Sequence, residues 1–239
     1  MMMACTNENG ANNGDIDVET VATSETEENK QKEYVTCVDT LGLKVIYPEF
    51  SRVELVCGTM PSKDDMDVVL VFAAAYTGKC LKVFQHSNIV GMHVSGGKYY
   101  EGHIYNGAFV YYKGRWKFMS KSAEIKAEMP LAAEHNGAGF TQDLLIYKGE
   151  LHPTKRKDGN TNIFRALCEH NGKLCVIESQ QVIKLGDLKK ALLDLGVTNA
   201  IYTDMGSGWN HAWYRTSSGI IELQPYKHPY CTNWITFYK

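Results

Sequence analysis

Short apolar segments separated by polar turns fill the sequence from residue 34 onward. Leu43–Tyr47 and Val53–Val56 are rich in β-branched residues, which is typical of strands. Val68–Phe72 is apolar throughout, which predicts a strand buried on both faces. Turn-forming pairs separate alternating segments at Gly96-Gly97, Lys113-Gly114, Lys148-Gly149, Asn171-Gly172 and Ser218-Gly219. These five pairs predict hairpins and an extensive antiparallel sheet.

Two segments depart from the strand pattern. Residues 122–134 allow a short helix that Pro130 should interrupt or end. Helical spacing of apolar residues recurs at Leu188, Ala191, Leu192 and Leu195. Asp187 favours the first turn of this second helix, and Gly196 provides its C-terminal stop. We therefore predict one α+β domain, with a mixed, largely antiparallel sheet, several hairpins and a few covering helices.

The first 33 residues are polar and acidic, so residues 1–33 are expected to form a disordered tether before a domain at 34–239. Met1–Cys5 resembles the end of a bacterial lipoprotein signal, in which Cys5 receives lipid, although no charged and apolar regions stand upstream. One interpretation is a lipid-anchored protein of the bacterial cell envelope. The other is a disordered terminus in which this short motif occurs by chance.

Charge argues against nucleic acid as a partner. With 25 basic and 27 acidic side chains the formal net charge is −2, so no overall positive field attracts phosphate backbones. The only basic run, Lys155-Arg156-Lys157, is typical of a solvated loop. No segment approaches the ~20 apolar residues of a membrane span, so membrane attachment is expected only through a lipid on Cys5.

The chain contains seven cysteines, and if Cys5 carries lipid an even number remains. The Asn171-Gly172 turn places Cys168 opposite Cys175, where either a disulfide or two buried thiols is compatible with the register. No Cys-x-x-Cys and no other close set of metal-ligating residues occurs. We therefore expect no metal and no cofactor.

A candidate site follows the apolar segment Asn199–Tyr202. This predicted strand delivers Asp204 to its carboxyl end, and a glycine-rich loop, Gly206-Ser207-Gly208, comes next. Small residues let backbone N–H groups approach a ligand closely, as anion-binding loops require. Because functional loops are usually held by rigid elements, this is the best candidate site in the sequence.

The order of segments resembles the phosphodiester glycosidase family over most of residues 68–239. The segments that carry the resemblance are Phe72–Thr77, Val90–Val94, Gly139–Ile146, Arg165, Asn199–Asp204 and Asn233–Phe237. Two positions depart from the family pattern. Ala73 stands where the family has asparagine, and Asp204 is followed by Met205-Gly206-Ser207-Gly208 in place of Gly-Gly-Gly-Ser.

The resemblance implies cleavage of a sugar-1-phosphodiester, with Arg165 and Asp204 as the catalytic residues. Arginine binds phosphate oxygens with a fork of N–H donors, and a carboxylate can act as base or nucleophile at the sugar carbon. Both mechanisms stay open from sequence alone. The alternative is that Arg165 and Asp204 form a structural ion pair.

Candidate substrate-binding residues are Tyr76, Thr77, Gln142, Ser207, Trp209, Asn210 and His211. Hydroxyl and amide groups can bind sugar hydroxyls or phosphate, and Trp209 offers an apolar face to a sugar ring. A packing role for Trp209, a backbone hydrogen bond for His211 and a turn or strand-edge role for Gln142 are equally compatible with the sequence.

Three functional hypotheses follow. The first is a glycosidase that acts on a sugar-1-phosphodiester or related glycan linkage at the bacterial envelope. The second is a non-catalytic glycan-binding lipoprotein on the same fold, which the alanine at position 73 favours. The third is a structural or adhesion module, which predicts a large exposed apolar patch and no pocket around Asp204.

Overall fold

Most of the chain beyond residue 31 forms short strands. The computed structural model describes residues 32–78, 89–205, 211–224 and 231–239. The first strands are β1 (Val35–Thr40), β2 (Leu43–Pro48), β3 (Arg52–Cys57), β4 (Val68–Ala73), β5 (His93–Ser95), β6 (Lys98–Tyr100), β7 (Gly107–Tyr112), β8 (Arg115–Met119), β9 (Ala138–Gln142) and β10 (Leu144–Tyr147). The others are β11 (Glu150–Leu151), β12 (Thr161–Asn162), β13 (Arg165–His170), β14 (Lys173–Ser179), β15 (Ile183–Lys184), β16 (Asn199–Tyr202), β17 (Ala212–Thr216), β18 (Gly219–Leu223) and β19 (Asn233–Tyr238). The helices are α1 (Ser122–Glu134) and α2 (Leu185–Asp194).

These strands form three main sheets and one small one. The first sheet has the order β1-β2-β14-β13-β16-β10-β11, and the second has the order β18-β17-β4-β19-β3. The third sheet has the order β6-β5-β9-β7-β8, and β12 pairs with β15 alone. Strand β4 is buried along its whole length near the middle of the second sheet, as its apolar sequence predicts.

The predicted fold class is wrong. Every ladder between the named strands is antiparallel, so the sheets are not mixed, and the described residues include two helices of 13 and 10 residues. The protein is therefore a β-rich sandwich and not an α+β domain. The physical reason is that the sequence pattern does not show which strands pair across the molecule, and the antiparallel pairs that form need no helical crossover.

All five predicted hairpins are present. In the turn between β13 and β14, Asn171 and Gly172 both have positive φ, at 52° and 69°, as a tight two-residue hairpin requires. Cys168 lies opposite Cys175 in the ladder of this hairpin. Both are buried and are free thiols, not a disulfide. Burial raises the pKa of both thiols, so both are protonated at neutral pH.

A central core joins the three main sheets. Ile46 and Leu167 come from the first sheet, Phe72 and Phe237 from the second, and Phe140 from the third; each is 0% exposed. Burial of such side chains contributes about 1.5–3 kcal/mol each, relative to leaving them in water. Residues 32–239 accordingly form one compact unit.

The helices cover the outer faces of two sheets. Helix α2 buries Leu188 and Leu192 against the first sheet, as the apolar spacing predicts. Helix α1 continues through Pro130 to Glu134, which the sequence did not predict, because Ile125, Met129 and Ala132 pack on the third sheet. The two helices of the described chain are also shorter than a membrane span requires.

Candidate active site

Asp204 lies where the first and second sheets meet. It follows β16, and its backbone N–H donates to the carbonyl oxygen of Ala74, just beyond β4, at 2.8 Å. The backbone N–H of Thr77 in turn donates to Oδ2 of Asp204 at 3.2 Å. The Asp204 carboxylate is therefore fixed to the segment that follows β4. Asp204 itself follows a strand of the first sheet, whereas this segment follows a strand of the second.

Asn233, the first residue of β19, holds that same segment. Its Oδ1 accepts the backbone N–H of Ala75 at 2.7 Å, and its Nδ2 donates to the carbonyl oxygen of Ala75 at 3.0 Å. Nδ2 also lies 3.2 Å from Oγ1 of Thr77. The amide of Asn233, on β19, thus contacts the segment that follows β4. Position 73, where the family has asparagine, holds a buried alanine.

A cleft of about 580 Å³ opens beside Asp204. Its walls include the side chains of Tyr76, Arg156, Asn162, Tyr202 and Asp204. Tyr76 is 41% exposed, which leaves its ring available to a ligand, while Asp204 is only 8% exposed. The cleft therefore combines a carboxylate, an arginine that can bind an anion and an aromatic ring that can contact an apolar face of a ligand.

Arg156 is the cation of this cleft. Its Cζ lies 3.9 Å from the centre of the Tyr202 ring, a distance typical of a cation–π contact. Its Nε lies 2.7 Å from Oδ2 of Asp143, and its Nη2 donates to Oε1 of Gln142 at 3.4 Å. The guanidinium is therefore held by an aromatic face, a carboxylate and an amide.

Asp143 supplies a second carboxylate near the cleft. It follows β9, and its carbonyl oxygen accepts the backbone N–H of Tyr202 at 2.8 Å. Burial raises the pKa of Tyr202 to about 12, and the charges of Asp204 and Asp143 act in the same direction, against the opposite effect of Arg156. Tyr202 is accordingly neutral at physiological pH, and the charges of this region lie on Arg156 and the two aspartates.

Tyr105 experiences the same charges. Burial raises its pKa, as do Tyr76, Asp143 and Asp204, whereas Arg156 lowers it. A phenol is protonated at neutral pH even without this shift, and the raised pKa keeps Tyr105 a hydrogen-bond donor to more alkaline pH.

Arg165, predicted as a catalytic residue, lies in the interior. Its guanidinium is 0% exposed and forms an ion pair with Glu178 on the neighbouring strand β14. It is not among the residues that line the cleft. Its backbone carbonyl oxygen accepts hydrogen bonds from N–H of Thr203 at 3.2 Å and from Oγ1 of Thr203 at 3.0 Å, which fixes the residue before Asp204.

The other predicted residues are dispersed. Tyr76 lines the cleft and Thr77 binds Asp204 through its backbone, whereas Gln142 is buried and contacts Arg156. His211 is buried, with Nδ1 2.9 Å from the carbonyl oxygen of Gln224. Cys5, Ser207, Trp209 and Asn210 lie outside the described residues. Within the described ranges, no group of three or more His, Cys, Asp or Glu side chains is placed to hold a metal ion.

Sequence reasoning missed Arg156, Asp143, Tyr202 and Asn233. Asp143 directly follows the strand β9, but the polar residues Thr141 and Gln142 precede it, so its segment gave no clear apolar signal. The sequence around Arg156 indicated a solvent-exposed side chain, because lysines flank it on both sides. Both lysines are exposed, whereas the Arg156 side chain is 27% exposed and turned onto Tyr202.

Comparison with known proteins supports the fold. Neither a scan against protein-family models nor a search of curated proteins gave a match. Among solved structures, the catalytic domain of zebrafish N-acetylglucosamine-1-phosphodiester alpha-N-acetylglucosaminidase, auto-inhibited by its pro-peptide, is similar with a TM-score of 0.58 and 15% identity. That match covers 87% of this chain and 82% of the zebrafish chain.

A hypothetical protein from Synechocystis is also similar, with a TM-score of 0.51 and 10% identity, over 86% of this chain and 61% of the other. At these identities the likeness shows a shared fold, and one fold can support several functions. The resemblance noted in the sequence is thus supported at the level of fold.

Proposed function

We propose that this protein hydrolyses a glycosidic bond in the cleft beside Asp204, with a sugar-1-phosphodiester or related glycan linkage as the substrate. The observation that carries the proposal is the presence of Asp204, Arg156 and Tyr76 in the walls of one cleft. The fold shared with a phosphodiester glycosidase supports the same choice of chemistry. A role at the bacterial cell envelope is part of the proposal and rests on the sequence motif at Cys5.

The roles of the residues follow from the reaction. Cleavage breaks the bond between the anomeric carbon and the leaving oxygen, and positive charge develops on the sugar ring. Asp204 stabilises that charge and acts either as a nucleophile or as a base toward water. Tyr76 offers its exposed ring to the apolar face of the sugar. A phosphate leaving group needs little protonation, so the site needs no strong general acid.

The test is release of free sugar by the full-length protein from a panel of nucleotide sugars and aryl sugar-1-phosphodiesters. Asp204→Asn keeps the size of the side chain and removes its charge, and we expect at least a ~1,000-fold loss of kcat. Asp39→Asn is the matched control, because it makes the same change at an exposed aspartate of β1, and it should keep turnover within about twofold.

The stereochemistry of the released sugar separates the two mechanisms. Retention of the anomeric configuration assigns Asp204 as the nucleophile, and inversion assigns it as the base for water. Turnover that survives Asp204→Asn unchanged contradicts the proposal.

A non-catalytic glycan-binding role is the second candidate. It is favoured by the three consecutive alanines at 73–75, which offer the cleft no polar side chain. In that case the wild-type protein releases no sugar, whereas Asp204→Asn changes only the affinity for a glycan. Sugar-binding titrations of both proteins therefore distinguish the two functions.

A further inference from the structure

Arg156 is held in place before any ligand arrives. The ring of Tyr202 lies under its guanidinium, and Asp143 and Gln142 contact Nε and Nη2 along one edge. A free arginine side chain loses considerable rotamer entropy when it binds a ligand. Because the contacts here already restrict Arg156, less of that entropy remains to be lost on binding.

The restraints leave donors for a ligand. A guanidinium carries five N–H donors; Nη2 donates to Gln142, whereas the 2.7 Å contact of Nε with Oδ2 of Asp143 is an ion pair without hydrogen-bond geometry. Among the contacts of the described residues, none is a hydrogen bond from Nη1 of Arg156. Since the side chain is 27% exposed and lines the cleft with Asp204, these donors are within reach of a bound molecule.

We propose that Arg156 forms an anion subsite in this cleft, which binds the phosphate oxygens of the leaving group while the sugar lies beside Asp204. The choice of substrate rests on the proposed function, whereas the choice of residue rests on the contacts of Arg156 alone. Phosphate oxygens suit a fixed guanidinium because two N–H groups can donate to them in parallel. The negative charge of Asp204 favours an orientation that keeps the phosphate away from it and near the arginine.

Asp143 and Gln142 are positioning residues in this subsite. They contact the arginine and not the substrate, and they set the direction of its remaining donors.

The test compares two substrates of the same sugar, an aryl sugar-1-phosphodiester and a neutral aryl glycoside. Arg156→Gln in the full-length protein should lower kcat/KM about 100-fold for the phosphodiester and less than about threefold for the neutral glycoside. Lys155→Gln is the matched control, because it removes an exposed positive charge one residue away and should change neither value by more than about twofold. Equal losses on both substrates in Arg156→Gln overturn the subsite.

A binding measurement separates this inference from the proposed function. We expect wild-type protein to bind the sugar-1-phosphate in a calorimetric titration, and Arg156→Gln to bind it at least about tenfold more weakly. If the wild type cleaves neither substrate but the variant still loses this binding, the subsite stands and the hydrolase proposal fails. Unchanged binding by Arg156→Gln overturns the subsite whatever the activity.

Asp143→Asn tests positioning. We expect the KM for the phosphodiester to rise about fivefold to tenfold while kcat stays within about twofold, because the arginine is present but less well oriented. The neutral glycoside should show no change in either constant. A similar fall in kcat for both substrates contradicts a positioning role.

Discussion

Two of the ion pairs between an arginine and a carboxylate differ in their surroundings, one in the interior and one beside the cleft. The buried pair, Arg165 and Glu178, joins neighbouring strands of the first sheet, with side chains 0% and 5% exposed. The cleft pair, Arg156 and Asp143, lies at the edge of the cleft, with side chains 27% and 10% exposed. Sequence analysis assigned ligand binding to the first arginine and solvent exposure to the second, and the contacts place the second beside the cleft.

The difference shows that solvent exposure affects whether an ion pair mainly stabilises the fold or can bind a ligand. Removing one member of a buried pair leaves a poorly compensated charge in the interior, so the fold depends on both members. A pair at the edge of a cleft keeps part of its hydration and can exchange its partner for a ligand. Stability should therefore depend on the buried pair, and anion binding on the cleft pair.

The largest expected effect comes from breaking the buried pair. Arg165→Ala leaves Glu178 charged in the interior, and we expect the free energy of unfolding to fall by about 3–5 kcal/mol. Urea denaturation followed by tryptophan fluorescence measures this change. A variant with both Arg165→Met and Glu178→Leu removes both charges and should regain most of the loss. If Arg165→Ala costs under about 1 kcal/mol, the buried pair is not a main support of the fold.

A smaller effect concerns the dependence of stability on pH that results from the burial of Tyr202 beside the cleft. Burial raises the pKa of Tyr202 to about 12, above its ordinary value of 10.0. Below pH 10 the tyrosine is protonated in both the folded and the unfolded chain, so its full contribution to stability is present. Between about pH 10 and pH 12 the unfolded chain loses this proton first, and up to about 3 kcal/mol of stability is lost as the pH rises.

Tyr202→Phe removes this ionisation and keeps the aromatic face under Arg156. Its free energy of unfolding should fall less steeply over that alkaline range than that of the wild type, in urea titrations at stepped pH. Parallel curves for the two proteins would show that Tyr202 ionises as readily in the folded chain as in the unfolded one.

The smallest expected effect comes from the cleft pair. Arg156→Ala should lower the free energy of unfolding by about 1–2 kcal/mol, less than Arg165→Ala, because Arg156 is partly solvated although Asp143 is only 7% exposed. The same urea titration measures it beside Arg165→Ala. A loss as large as that of Arg165→Ala would remove the distinction between the two pairs.

The strands and their turns were predictable from sequence because their signals are local. Asn171-Gly172 can form a tight hairpin without help from distant residues, and Leu188 and Leu192 identify the buried face of α2. The predicted α+β class failed because local patterns do not show which strands pair across the molecule. The prediction that Pro130 interrupts or ends α1 was wrong because packing of this helix on the third sheet outweighs the cost of one proline.

The site was less predictable than the fold. Asp204 could be found because it follows a strand closely, but its contacts with Ala74 and Thr77 depend on the docking of two sheets. Arg156 lies far along the chain from Tyr202, and no spacing rule connects them. Exposure, on which the proposed roles of the two arginines depend, is a property of the folded molecule and not of the residue type.

The position of β4 also affects synthesis of the protein. This strand leaves the ribosome before either of its sheet neighbours, because β17 and β19 follow all strands of the first and third sheets. Its sequence, Val-Val-Leu-Val-Phe-Ala, carries no charge and is wholly buried in the folded protein. Uncharged segments of high β-propensity tend to pair with copies of themselves while they are exposed. Until β17 and β19 are made, β4 therefore has no sheet neighbour to cover it, and we expect it to favour aggregation of the nascent chain.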